Sequence, residues 1–110
     1  MSSSQTIAII LRFDSDRAPE FEKMFADEVL PLWHQFKAAG KFIGASLTPV
    51  LGGGQEEPGI TTYILHVQVP SADEHHEFDN NATFVEFLAR AMPLQPQEPL
   101  VWFGNTLHEV

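Results

Sequence analysis

Sixteen residues, "HVQVPSADEHHEFDNN" (His66 to Asn81), hold three histidines, two aspartates, two glutamates and two asparagines. Such a set could hold a metal or move protons. Adjacent His75 and His76 point about 100° apart if the segment is helical, so they do not readily share one ion. His75 and Asp79 stand at i and i+4, which allows a two-ligand contact. Zinc sites usually take at least three protein ligands, and no H-E-x-x-H pattern is present. The plainer reading is a helix start. "SADE" is S-x-x-E, a capping box of Ser71 and Glu74, and Asp73 and Glu74 complement the positive end of the helix dipole. No structural metal is expected.

His66 stands apart from this cap. It falls mid-strand, with Gln68 two residues on and on the same face. Arg12 ends the even set Ala8, Ile10, Arg12 of an earlier strand, and Ser46 and Thr48 form a similar polar set on another. These side chains are expected to share the sheet face turned away from the helices. One reading is a buried hydrogen-bonded cluster across a subunit interface. The other is a polar patch in an apolar cavity, with His66 or His34 as acid/base and Arg12 positioning an anion or enolate. Trp33 and His34 follow Pro31 and are candidate pocket-edge residues. Gln68, Trp33, Phe84 and Trp102 are the candidate ligand contacts, although most of the aromatic set also suits a plain core.

The elements that must position these residues follow from periodicity. "TIAIILRF" (Thr6 to Phe13) is aliphatic on both faces and reads as a central strand covered on both sides. Pro19 suits a first helical turn, and "EFEKMFADEVLPLWHQFKAAG" carries Phe21, Phe25, Leu32 and Phe36 near one face. Pro31 predicts a kink or interruption there, and Gly40 a stop. "KFIGASLTPVL" (Lys41 to Leu51) reads as a second strand, "GGGQEEPG" as a hairpin loop, and "ITTYILHVQVP" (Ile60 to Pro70) as a third strand with apolar odd positions. Helix follows Ser71, breaks near Asn80 and Asn81, and resumes through "ATFVEFLARAM". A proline-rich connection leads to a last strand, "LVWFGNTLHEV".

The order βαββαβ is the split βαβ arrangement. It predicts an α+β, ferredoxin-like domain over residues 1–110: a four-stranded antiparallel sheet with helices on one face. Two-sided apolarity of the first strand calls for a cover on the other face, and a second copy in an isologous homodimer is the simplest one. The 110 residues include 44% apolar and 19% charged, an ordinary globular balance. A formal charge of −9 with six Lys and Arg argues against nucleic acid and anionic membranes. Cysteine is absent, compatible with a cytoplasmic location. "MSSSQT" lacks the pattern of a secretory leader, and no apolar run approaches the ~20 residues of a membrane span.

On two segments the chain resembles the dimeric α/β-barrel superfamily of antibiotic-biosynthesis monooxygenase-like, EthD-like and stress-responsive barrel proteins. "DEVLPLW" (Asp27 to Trp33) is similar to the "HLPL" segment of EthD-like proteins, with Val29 at the histidine position. "FDNNATFVEF" (Phe78 to Phe87) is similar to a segment with a His or Tyr where Phe78 stands, a capping Ser or His at Asn81, and Pro at Ala82. Phe84 stands where some stress-responsive members carry a catalytic histidine, so cyclase-like chemistry does not carry over through it. The resemblance implies a dimeric barrel. It also implies a cofactor-independent enzyme of oxygenase, isomerase or cyclase type acting on a small hydrophobic or aromatic molecule. The alternative is a non-catalytic ligand-binding or structural module. Haem binding, readable as a Soret band shift, is a third option.

Overall fold

The computed structural model describes residues 4–54 and 57–110. The apolar odd positions of "ITTYILHVQV" settle which face of the sheet is inside. Strand β3 (Ile60–Val69) buries Tyr63, Leu65, Val67 and Val69 and leaves Ile64 and His66 exposed. Strand β1 (Gln5–Asp14) pairs antiparallel with β3 and repeats the pattern, burying Ile7, Leu11 and Phe13. Strands β2 (Gly44–Pro49) and β4 (Leu100–Asn105) take the edges, giving the order β2-β3-β1-β4 with every pairing antiparallel. This is the α+β, ferredoxin-like βαββαβ sheet, with β1 central as its two-sided apolarity predicts.

The helices cover one face. Helix α1 (Ala18–Met24) starts with Pro19 in its first turn and passes through a π-helical turn, Phe25–Val29, into α2 (Leu30–Ala38). The kink expected at Pro31 is replaced by this wide turn. Proline lacks an N–H and its ring crowds the carbonyl four residues back. Widening the preceding turn, in which the Leu30 N–H donates to the Phe25 carbonyl, relieves that clash without ending the helix. Gly40 adopts a left-handed φ of 74° just beyond the helix end, where a side chain would be strained.

Helix α3 (Ala72–Asp79) begins at Ser71, whose Oγ accepts from the Asp73 N–H at 3.3 Å while its hydroxyl donates to Glu74. That hydrogen bond holds the Glu74 carboxyl below its ordinary range. Asn81 restarts the chain as α4 (Ala82–Ala91), its Oδ1 accepting from the Phe84 N–H at 3.2 Å. A short 3-10 turn, Met92–Leu94, ends it. Aromatic rings join the layers: Phe13 stacks on Phe21 at 4.1 Å, and Phe78 lies 4.3 Å from Phe84.

Two boundaries differ from the sequence reading. Strand β2 begins at Gly44 because Phe42 turns inward against Phe36 and Phe78. Strand β4 ends at Asn105, and the tail folds back so that Glu109 accepts from Gln68. Within the expected hairpin loop, Gln55 and Glu56 lie outside the described residues.

Candidate functional site

Helix α4 crosses the inner face of β1 at a distance that its own side chains do not fill. A cavity of about 300 Å³ lies between them, floored by Ile7, Ile9 and Val67 and roofed by Phe84, Phe87 and Ala91. It opens between α4 and the edge strand β4, where Leu88, Met92 and Val101 form an apolar lip that is partly exposed. Its walls carry three polar residues, His75, Asp79 and Gln95. Asp79 precedes α4 and Gln95 follows the turn that ends it, so they flank opposite ends of that helix. An apolar chamber with few polar groups is the usual form of a small-ligand site, and this one is at the small end of the range, about 300–1,000 Å³.

His75 is mostly buried at 13% side-chain exposure. Its Nδ1 lies 2.9 Å from Gln5 Oε1 on β1, and its Nε2 lies 3.2 Å from Asp79 Oδ2 one turn on. Gln5 is fixed in turn by donating from Nε2 to Asn105 Oδ1 at 3.2 Å. Both ring nitrogens thus face oxygens. The ring edge packs against Phe103 on β4 at 5.0 Å between centroids. His75 therefore ties α3 to both β1 and β4 beside the cavity. From sequence alone His75 reads as part of a helix start. The i,i+4 spacing with Asp79 was the available signal, but nothing local shows that the pair faces Gln5. Neighbouring His76 is exposed. Among the described residues no three His, Asp or Glu side chains converge as a metal site.

The residues proposed from sequence scatter over other surfaces. His66 is exposed on the open sheet face of the single chain, makes no side-chain hydrogen bond among the described residues and does not meet Arg12 there. The register explains this. His66 lies opposite Ala8 and Ser46, whereas Arg12 lies opposite Thr62, four residues and roughly 13 Å along the sheet. Arg12 turns to the Glu98 carbonyl at 3.1 Å and Glu57 at 3.8 Å, and Gln68 turns to Glu109. His34 is exposed on α2, away from the cavity. Trp33 is buried against Phe25 and Phe42 and borders a shallower depression beside β2, shared with Glu22, Ser46 and Tyr63. Phe84 lines the cavity. Trp102 shares the open face with Ala8 and is 59% exposed, because β4 is an edge strand whose even positions point away from the helices.

One buried hydroxyl also faces the helices. Tyr63 donates to the Glu22 carboxylate. Burial, then the hydrogen bond and charge of Glu22, push its phenol well above the ordinary tyrosine range.

No family model matches the chain, and no curated protein matches it in sequence. Solved structures do match in shape. A candidate antibiotic biosynthesis monooxygenase from Caulobacter crescentus superposes with a TM-score of 0.75 at 19% identity, over 97% of this chain and 92% of that one. A protein of the same description from Bordetella bronchiseptica gives 0.66 at 26% identity, over 98% and 100%. A dimeric ferredoxin-like protein from an uncultured marine organism gives 0.77 at 9% identity, over 99% and 92%. The chain has the ferredoxin-like fold of these antibiotic-biosynthesis-monooxygenase-like proteins. Among the described residues no helix is long and apolar enough to cross a membrane.

Proposed function

We propose that the protein is a homodimeric α/β barrel that binds a small hydrophobic or aromatic molecule in the chamber between α4 and the sheet. The carrying observation is the chamber itself: about 300 Å³, apolar walls, and three polar residues in its lining. Reactions of the cofactor-independent oxygenase, isomerase and cyclase types share a proton-transfer step. Imidazole is the side chain best suited to that step near neutral pH. His75, with Asp79 on Nε2, takes the acid/base role that the sequence offered to His66 or His34. A non-catalytic ligand-binding module is the second reading. It is favoured by the engagement of both His75 nitrogens, which leaves neither free until Gln5 or Asp79 moves.

The homodimer rests on the other sheet face. Ile10, Ile64, Leu100 and Trp102 form an apolar stripe there whose last three members no described residue covers, and one structural neighbour is described as dimeric. Two such faces packed together would enclose His66 and supply the core that a 110-residue chain has little of.

Naphthol titrated into the protein and followed by its own fluorescence tests the chamber. Saturable binding is expected. Ala91→Phe, which fills the chamber from α4, should weaken it at least about tenfold, a loss near 1.4 kcal/mol. Equal affinity in a folded Ala91→Phe protein would place the ligand elsewhere.

A further inference from the structure

We propose that Gln95 selects the ligand of this chamber by accepting a hydrogen bond from an O–H or N–H group on an otherwise apolar, uncharged molecule. The proposal rests on the reading of the chamber as a small-molecule site. Three buried side-chain atoms lack a hydrogen-bond partner among the described residues: Arg12 Nε, Trp33 Nε1 and Gln95 Oε1. Arg12 Nε belongs to a guanidinium already held by Glu98 and Glu57. Trp33 Nε1 belongs to a residue bordering the shallower depression. Of the three residues, Gln95 is the one that lines the enclosed chamber. Buried acceptors in folded proteins are nearly always satisfied by protein or water. The chamber walls around Gln95 are apolar, so the missing donor comes from what fills the space.

The other end of the chamber makes no matching demand. His75 and Asp79 satisfy each other, and Gln5 takes the remaining ring nitrogen. The unmet polar requirement is therefore a single donor, at the end of α4 away from Asp79. A carboxylate or phosphate on the ligand would share the apolar space with the Asp79 carboxylate, which disfavours anions. The main chain fixes where Gln95 stands. Its N–H donates to the Met92 carbonyl at 3.0 Å, closing the turn after α4, and Leu94 beside it is buried. The terminal torsion of a glutamine is broad, so the carbonyl can swing toward a donor at little cost. The apolar walls supply affinity without direction, and one acceptor supplies the orientation.

Four naphthalenes substituted at the same ring carbon test this. Naphthol and naphthylamine carry a donor, methoxynaphthalene an acceptor only, and methylnaphthalene neither. Wild-type protein should bind the two donors about tenfold more tightly than methylnaphthalene, the worth of one net hydrogen bond. Gln95→Met keeps the length of the side chain and removes the acceptor. In that variant, checked for folding by its melting curve, the ratio should fall to near one while methylnaphthalene affinity stays within about twofold. The wild-type series stands by itself if the variant does not fold. Equal binding of all four probes to wild type, a preference for methoxynaphthalene, or a donor preference that survives Gln95→Met would each overturn the assignment of Gln95 while leaving the chamber intact. Failure of every probe to bind would instead remove the chamber as a ligand site, and the role of Gln95 with it.

Discussion

The two faces of β1 and β3 are built from alternate residues of the same ten-residue strands, yet they do different work. The helix face presents Ile7, Leu11, Phe13, Tyr63, Leu65 and Val67, all buried within one chain. The open face presents Ala8, Ile10, Arg12, Thr62, Ile64 and His66, none of them buried. On the first face helices cover the apolar area and leave one chamber unfilled. On the second, a narrower apolar stripe that includes Ile64, Leu100 and Trp102 is left exposed beside polar residues. A strand that is apolar on both sides therefore calls for two different covers, and the described residues supply one of them. Polar residues that share a face do not for that reason share a site, as Arg12 and His66 show.

The comparison breaks most sharply in stability. Phe13 is fully buried and stacks on Phe21, so Phe13→Ala should cost about 3–5 kcal/mol in urea unfolding. A loss of less than about 1 kcal/mol would mean that the helix face is not the core. On the open face Ile64→Glu should act on assembly instead. Light scattering should report a monomer where the wild type is a dimer, with the far-ultraviolet circular dichroism unchanged. His66→Ala belongs with it and should leave naphthol affinity at the wild-type value. A wild type that is itself monomeric at micromolar concentration, or a variant that unfolds on dissociation, would erase the proposed division between faces.

Alkaline titration sharpens the helix side further. Tyr63 is the one tyrosine of the chain, so near-ultraviolet phenolate absorbance reads it alone. Its folded-state pKa lies above the unfolded value of about 10, through burial and then Glu22. A raised pKa contributes stability that is fully present below the unfolded value and is lost as pH rises toward the folded one. The phenol should stay protonated past pH ~10 in folded protein and ionise when denaturant unfolds it. Ordinary titration in the folded state would contradict its burial.

These outcomes also mark how much the sequence made legible. The alternation of "ITTYILHVQV", the Ser71 and Asn81 caps and the element order are local patterns, and each appears in the structure as read. The site is not local. His66 looked like a site because strand periodicity puts it on a polar face, but only pairing register shows that Arg12 is far from it. The chamber is space that packing leaves between α4 and β1, and no residue pattern encodes a void. Gln95 sits in "PLQPQEP", a stretch whose composition says only that it connects. His75 carried a visible partner in Asp79, while Gln5 is seventy residues away and joins it only through the fold.

Adjacent isoleucines offer the most direct test of the central claim, that the helix face holds the ligand and the open face holds the partner subunit. Ile9 points into the chamber and Ile10 away from it; Ile7 also lines the chamber, and Ile64 lies on the open face opposite Ile10. Naphthol titrated into protein labelled at its isoleucine methyl groups should shift the Ile7 and Ile9 resonances in nuclear magnetic resonance spectra and leave Ile10 and Ile64 in place. Shifts at Ile10 and Ile64 with Ile7 and Ile9 unmoved would put the site on the open face and contradict the account.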